Sequence, residues 1–166
     1  MFKRDILKKL SIWAQKSDRK PLILRGARQV GKTTAIHLFS KLFDQYLYLN
    51  LELKNERNIF EQGYPIEDLI QAIFFYKDQV RHEGKILIFI DEIQSCPLAV
   101  SYLRFFYESF PDLYIVAAGS LLETLIDTHI SFPVGRVEYL VMKPLSFKEF
   151  LIALDQSASL DIKKNK

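Results

Sequence analysis

Short aliphatic runs alternate along this chain with longer stretches in which apolar residues recur every three or four positions. The runs "LILR" and "KILIFIDE" are apolar at almost every position, which is typical of strands buried on both faces of a sheet. Stretches such as "IEDLIQAIFFYKDQV" instead have the spacing of amphipathic helices. The predicted strands cover residues 22–25, 45–52, 85–92, 113–120 and 136–142, and the predicted helices cover 1–16, 32–43, 66–80, 97–110, 120–127 and 144–154.

This alternation of strands and helices predicts an α/β fold, with a five-stranded parallel sheet and helices on both of its faces. Right-handed crossovers would bring the carboxyl ends of all strands to one edge, where such sheets bind their ligands. The chain is expected to consist of a helix in residues 1–20 that packs on the core, one domain over 21–155, and a polar tail over 156–166.

Two finer expectations concern the helices. The helix over 66–80 would place Val80 on the same apolar face as Leu69 and Ile73. The last helix would begin with Ser146 and Glu149 at the spacing of a capping box. The N-terminal helix is basic and amphipathic, and its alternative to core packing is a place on a membrane surface.

A glycine-rich loop, "GARQVGKTT", lies between the first buried strand and the next helix. It fits Gly-x-x-x-x-Gly-Lys-[Ser/Thr], in which glycines bring backbone N–H groups close to phosphate oxygens and the helix dipole attracts the same anion. The alternative is a strand-to-helix turn with an exposed lysine, and Arg28 is as compatible with solvent as with phosphate. The predicted nucleotide-binding residues are Gly26, Ala27, Arg28, Gln29, Val30, Gly31, Lys32, Thr33 and Thr34.

Two carboxylates, Asp91 and Glu92, end the third predicted strand. With the loop hydroxyl of Thr33, Asp91 is predicted to hold Mg²⁺, and Glu92 is placed to deprotonate an attacking water. A solvated acidic pair at a strand end is the alternative. The second carboxylate favours hydrolysis over transfer of phosphate to a small acceptor. The absence of [Asn/Thr]-Lys-x-Asp late in the chain favours adenine over guanine.

Composition excludes several classes of protein. The net charge of +3, from 23 basic and 20 acidic side chains, is too small to indicate nucleic-acid binding by itself. The single cysteine, Cys96, permits no internal disulfide and fits a cytoplasmic location. No apolar run approaches about 18 residues, so no membrane span is expected. The N-terminus also lacks the apolar centre of a signal peptide.

Four segments together resemble a known family. They are "GARQVGKTT", "FIDEIQ", "AAGSLLE" and "GRVEYLVMKPLSFKEFL". Over residues 20–155 the chain resembles the prokaryotic AAA-type ATPases of the AAA_14/DUF4143 family, which carry a second, C-terminal domain of uncharacterised function. The resemblance implies a P-loop NTPase fold with strand order 5-1-4-3-2, the phosphate-loop strand at the sheet centre, and ATP and Mg²⁺ as ligands.

The resemblance also implies roles for single residues. Lys32 and Thr33 match the Walker A positions, and Asp91 and Glu92 match the Walker B aspartate and the catalytic glutamate. Ser120 matches a polar sensor of the γ-phosphate, although it could equally cap the helix that follows.

Two further residues match the family pattern. Arg136 matches a glycine-arginine pair, and an arginine there would stabilise transition-state charge in its own chain or in a neighbouring subunit. Its alternative is an exposed arginine at a strand start. Asn50 is a weaker match to a residue that restrains Glu92, and we expect it not to have that role.

Relatives of this family continue well beyond the last predicted helix, so this sequence is expected to lack the C-terminal domain. A protein partner or a second copy of the chain is expected to bind through that missing part. Three functions stay open: an ATPase that is slow in isolation, a nucleotide-dependent switch with negligible turnover, and an ATPase associated with nucleic acid.

Overall fold

The computed structural model describes residues 5–120, 133, 135–147 and 149. Five strands and five α-helices lie in this part of the chain. The strands are β1 (Leu22–Arg25), β2 (Gln45–Asn50), β3 (Ile86–Asp91), β4 (Tyr114–Gly119) and β5 (Glu138–Val141). The helices are α1 (Asp5–Ala14), α2 (Lys32–Phe39), α3 (Lys54–Glu61), α4 (Ile66–Tyr76) and α5 (Pro97–Ser109), with 3₁₀ turns at Ser40–Leu42 and Ile93–Ser95.

The strands form one parallel sheet in the order β2-β3-β4-β1-β5. This is the predicted order read from the other edge, so the predicted α/β fold is confirmed. The strand that precedes the glycine-rich loop is β1, and it lies between β4 and β5. The expectation that β1 occupies the sheet centre is therefore wrong, because β4 is the middle strand.

Two apolar layers cover the sheet, one on each face. Consecutive side chains of a strand point to opposite faces, and β1 shows this directly. Leu22 and Leu24 pack in the layer that contains residues of α1 and α2, whereas Ile23 packs in the layer that contains residues of α3, α4 and α5. All three side chains are fully buried, as the unbroken apolar run predicted.

Helix α3 was not among the predicted elements. Its sequence, "KNERNIFE", is mostly polar, and its stability comes from tertiary contacts. Ile59 and Phe60 are buried in the core, and the buried carboxylate of Glu56 pairs with Lys77 at the end of α4. Helix α4 ends at Tyr76, so Val80 is 73% exposed and does not lie on its apolar face.

Parts of two predicted helices, 120–127 and 144–154, lie outside the described residues. The predicted capping box is nevertheless present. Ser146 N donates to Glu149 Oε2 at 2.8 Å, and Glu149 N donates to Ser146 Oγ at 3.2 Å. Within the described ranges, no helix is both long and apolar enough to cross a membrane.

The N-terminal helix α1 contributes to the layer that also contains α2. Ile6, Leu10 and Trp13 are buried there. The Trp13 ring lies 6.3 Å from Phe39 and 6.1 Å from Tyr114, measured between ring centroids. Its indole Nε1 donates to Lys20 O at 2.8 Å, which ties the end of α1 to the approach of β1.

We predict that Trp13→Ala lowers the free energy of unfolding by about 3–5 kcal/mol, because it leaves a cavity and an unpaired carbonyl. Ile12→Ala is the matched control on the same helix, since Ile12 is 63% exposed. We expect that control to change stability by less than about 0.5 kcal/mol. Urea unfolding curves measure both, and equal effects of the two substitutions would show that α1 does not belong to the core.

Candidate functional site

The glycine-rich loop follows β1 directly and requires glycine at two points. A Cβ on Gly26 would lie 2.4 Å from Met142 O, because the loop passes against the backbone just after β5. Gly31 has φ +90° and precedes the first turn of α2, a conformation that strains other residues. The sequence "GARQVGKTT" thus has glycine where the backbone path demands it.

Lys32 begins α2, and its ammonium lies inside the loop. The side chain is buried, and Nζ donates to Gly26 O and Ala27 O, each at 2.8 Å. Burial lowers the pKa of the Lys32 ammonium, and the carboxylates of Glu92 and Asp91 oppose that shift. The loop therefore holds a cation that is partly stripped of water and is satisfied by loop carbonyls.

Thr33 and Asp91 join the loop to the end of β3. Thr33 Oγ1 donates to Asp91 Oδ2 at 2.7 Å, and Glu92 N donates to Asp91 Oδ1 at 3.0 Å. Asp91 is 3% exposed, and burial raises the pKa of its carboxyl while these hydrogen bonds oppose the shift. A hydroxyl and a carboxylate side by side are oxygen ligands of the kind that Mg²⁺ prefers, so the pair fits that ion.

Tyr48 on β2 also reaches Asp91. Its hydroxyl donates to Asp91 Oδ2 at 3.4 Å, a long contact. Burial, together with the Asp91 carboxylate, raises the pKa of Tyr48 to about 12, so the phenol stays protonated near neutral pH. Tyr48 therefore adds a second neutral donor to the same carboxylate oxygen.

Glu92 follows β3 in a left-handed conformation, with φ 52° and ψ 45°. This conformation is uncommon outside glycine, asparagine and aspartate, and such strain tends to occur at functional positions. The carboxylate of Glu92 accepts a short hydrogen bond from Gln94 Nε2. The backbone turn and the amide together determine where this carboxylate lies.

A cavity of about 490 Å³ lies over the loop. Of the predicted site residues, Glu92 and six of the loop residues line it. The full lining is Arg28, Gln29, Gly31, Lys32, Thr33, Thr34, Glu52 and Glu92. Gly26 and Ala27 contribute through the carbonyls that Lys32 contacts, and Val30 packs instead against the layer that contains α1 and α2.

Ser120 lies one residue beyond β4, at the loop edge of the sheet. Gly119 pairs with Arg25 across the β1–β4 ladder, which places Ser120 level with the start of the loop. Its Oγ is buried and makes no hydrogen bond within the described part of the chain. The helix that Ser120 would cap lies outside the described residues, so the sensor and the cap both stay predictions.

Arg136 lies at the edge of the sheet where the strands begin, opposite the edge that carries the loop. It precedes β5, whose first residue, Glu138, pairs with Leu22 at the start of β1. The loop follows β1 at its other end. The length of β1, four residues or about 13 Å, therefore separates the start of β5 from the loop. Arg136 Nε instead contacts Glu108 Oε1 at 3.3 Å, near the end of α5. The structure thus does not bring Arg136 to the cavity of its own chain, and only the role toward a neighbouring subunit stays a prediction.

Two residues of the site, Glu52 and Gln94, were not predicted from the sequence. Glu52 lines the cavity, and its position just past β2 was a signal, since strand ends of a parallel sheet share one edge. Gln94 follows the carboxylate pair in "FIDEIQ", and nothing local distinguished it. Within the described residues Asn50 makes no hydrogen bond with Glu92, and its Oδ1 accepts one from Glu52 N at 3.0 Å.

Known proteins similar to this chain are found among solved structures. No curated protein matches the chain. The solved structure of C. elegans PCH-2 is similar with a TM-score of 0.49 and 14% identity, over 82% of this chain and 41% of that one. The Aeropyrum pernix ORC1 protein, solved in complex with DNA, is similar with a TM-score of 0.54 and 17% identity, over 93% of this chain and 47% of that one.

The chain thus spans less than half the length of either of these proteins. The likeness to the Aeropyrum pernix ORC1 protein, at 17% identity, shows the fold alone. A sequence-family match covers most of the chain. The family described as "AAA domain" matches residues 18–151, a range that contains the loop, the carboxylate pair and all five strands. This chain therefore belongs to the AAA domain family of P-loop ATPases.

Proposed function

We propose that this chain binds ATP with Mg²⁺ and hydrolyses its γ-phosphate. The observation that carries the proposal is the hydrogen bond between Thr33 and Asp91, two side chains 58 positions apart. It joins the phosphate loop to the acidic strand end, and the adjacent residues of each, Lys32 and Glu92, line one cavity. A loop that merely turned from strand to helix would not need this arrangement.

The residues divide the chemistry between them. Lys32 Nζ exchanges its two loop carbonyls for phosphate oxygens, and loop N–H groups bind the same oxygens. Thr33 and Asp91 would hold Mg²⁺, which neutralises phosphate charge when bound. Glu92 takes the proton from the attacking water, and the Ser120 hydroxyl finds in the γ-phosphate the partner that it lacks within the described residues.

A second candidate, a nucleotide-dependent switch, is favoured by the position of Arg136. Because Arg136 lies at the far edge of the sheet, a transition-state arginine from that position would have to come from a neighbouring subunit. An isolated chain would then bind ATP tightly and turn it over slowly until a neighbouring subunit completes the site. An association with nucleic acid is weaker, since the net charge of +3 gives it little support.

We predict that Lys32→Ala weakens ATP binding by about 10- to 150-fold, because it removes charge-assisted hydrogen bonds worth about 1.5–3 kcal/mol. Lys41→Ala, at an exposed position just after α2, should leave binding unchanged. Titration calorimetry with ATP, ADP and GTP in Mg²⁺ measures the dissociation constants. Adenine nucleotides should bind better than GTP. Equal binding by both lysine variants would remove the loop from the proposed site.

We predict that Glu92→Gln lowers the hydrolysis rate by about 10²- to 10⁴-fold, the usual contribution of a general base. ATP affinity should not fall, since the substitution removes a negative charge from the cavity that receives the phosphates. Glu83→Gln, at an exposed position before β3, is the control. Phosphate release from a well-folded sample measures the rate, and a Glu92→Gln rate equal to wild type would refute hydrolysis by this residue.

A concentration series separates the two candidates. If Arg136 acts on a neighbouring subunit, the rate per chain should rise with protein concentration, and Arg136→Ala should abolish that rise without weakening ATP binding. Arg104→Ala is the control, because Arg104 contacts the same carboxylate, Glu108, at 2.9 Å. A rate per chain that is independent of concentration, and unchanged by Arg136→Ala, would leave Arg136 a surface residue.

A further inference from the structure

The amide of Gln94 makes one hydrogen bond and lacks another. Its Nε2 donates to Glu92 Oε2, in the wall of the cavity. Its Oε1 is buried and has no hydrogen-bond partner within the described residues. A buried amide oxygen without a partner destabilises the folded state, so stability alone does not explain this arrangement.

The orientation of this amide is determined by Glu92. If the amide were rotated, its oxygen would face a carboxylate oxygen, and two acceptors would repel each other. The donor must therefore point at Glu92, which leaves Oε1 directed into protein. The amide nitrogen of Gln94 therefore keeps its contact with the carboxylate, while the amide oxygen is left without a hydrogen bond.

The backbone around Gln94 is held firmly. Ser95 N donates to Glu92 O at 2.9 Å and Cys96 N donates to Ile93 O at 3.1 Å, which closes the 3₁₀ turn after β3. Ile93 and Cys96 are both buried in the core. These contacts hold the turn on either side of Gln94. The Gln94 side chain therefore extends from a fixed backbone position, two residues from the Glu92 carboxylate that it contacts.

We propose that Gln94 is a positioning residue for the reaction proposed above, on which this inference rests. Its amide engages Oε2 of Glu92 and holds the carboxylate at the cavity wall, leaving Oε1 as the oxygen that takes the proton from the attacking water. Glu92 has three side-chain torsions, and holding one carboxylate oxygen removes most of that freedom before the water arrives. Gln94 itself does not line the cavity, so it acts through Glu92.

Gln94→Met tests the proposal, because methionine keeps the length of the side chain and removes both polar groups. We expect the single-turnover rate of ATP hydrolysis to fall about tenfold, with ATP affinity within twofold of wild type. The melting temperature should stay equal or rise, since the unpaired buried oxygen is gone. Gln94→Glu should lower the rate further, because a second carboxylate repels Glu92. Gln62→Met, at an exposed position after α3, is the control.

A double-mutant cycle with Glu92→Gln distinguishes positioning from a structural role. If Gln94 acts through the carboxylate, Gln94→Met should slow wild type but not the Glu92→Gln variant, so the two effects are not additive. A tenfold loss in both backgrounds, together with a lower melting temperature, would make Gln94 structural and overturn the proposal.

The same measurements separate this inference from the proposed function. A wild-type chain that binds ATP without any hydrolysis would refute the proposed reaction, and the positioning role would fall with it. A wild-type chain that hydrolyses ATP and depends on Glu92, but whose rate is unaffected by Gln94→Met, would overturn the role of Gln94 alone.

Discussion

The hydrogen bond between Thr33 and Asp91 depends on one constraint, the parallel alignment of all five strands. Strands β1 and β3 are separated by β4 in the sheet, yet their carboxyl ends lie at one edge because β1, β4 and β3 pair in parallel. The loop after β1 and the carboxylates after β3 are thereby brought together. If either β1 or β3 ran in the reverse direction, the loop and the carboxylates would lie at opposite edges of the sheet.

This constraint also concentrates charge where little water reaches it. Lys32 and Asp91 are 7% and 3% exposed. Burial lowers the pKa of the Lys32 ammonium and raises the pKa of the Asp91 carboxyl, so in each case it favours the neutral form. A buried charge without compensation costs several kcal/mol, and here loop carbonyls, Thr33 and the backbone N–H of Glu92 supply the compensation. These partners keep both groups ready for a phosphate and a divalent cation, which would interact strongly in such a setting.

Much of this site could be predicted from the sequence, because its main residues lie in two local patterns at strand ends. The loop and the pair Asp91–Glu92 needed only those patterns and the rule for parallel sheets. The role of Gln94 could not be predicted, since its contact depends on a left-handed backbone at Glu92 that no local pattern reveals. Helix α3 was missed because a buried ion pair stabilises a mostly polar segment. The position of Arg136 far from the loop results from the register of β5 against β1, and the glycine-arginine pair does not reveal that register.

The close approach between Gly26 and Met142 couples the start of the loop to the backbone just after β5. Met142 N donates to Arg25 O at 2.7 Å, and its carbonyl lies against the glycine that opens the loop. The backbone that follows β5 therefore packs directly against the start of the phosphate-binding loop. A displacement of the backbone at Met142 would therefore change the space around Gly26, so the geometry of the loop depends on the residue that follows β5.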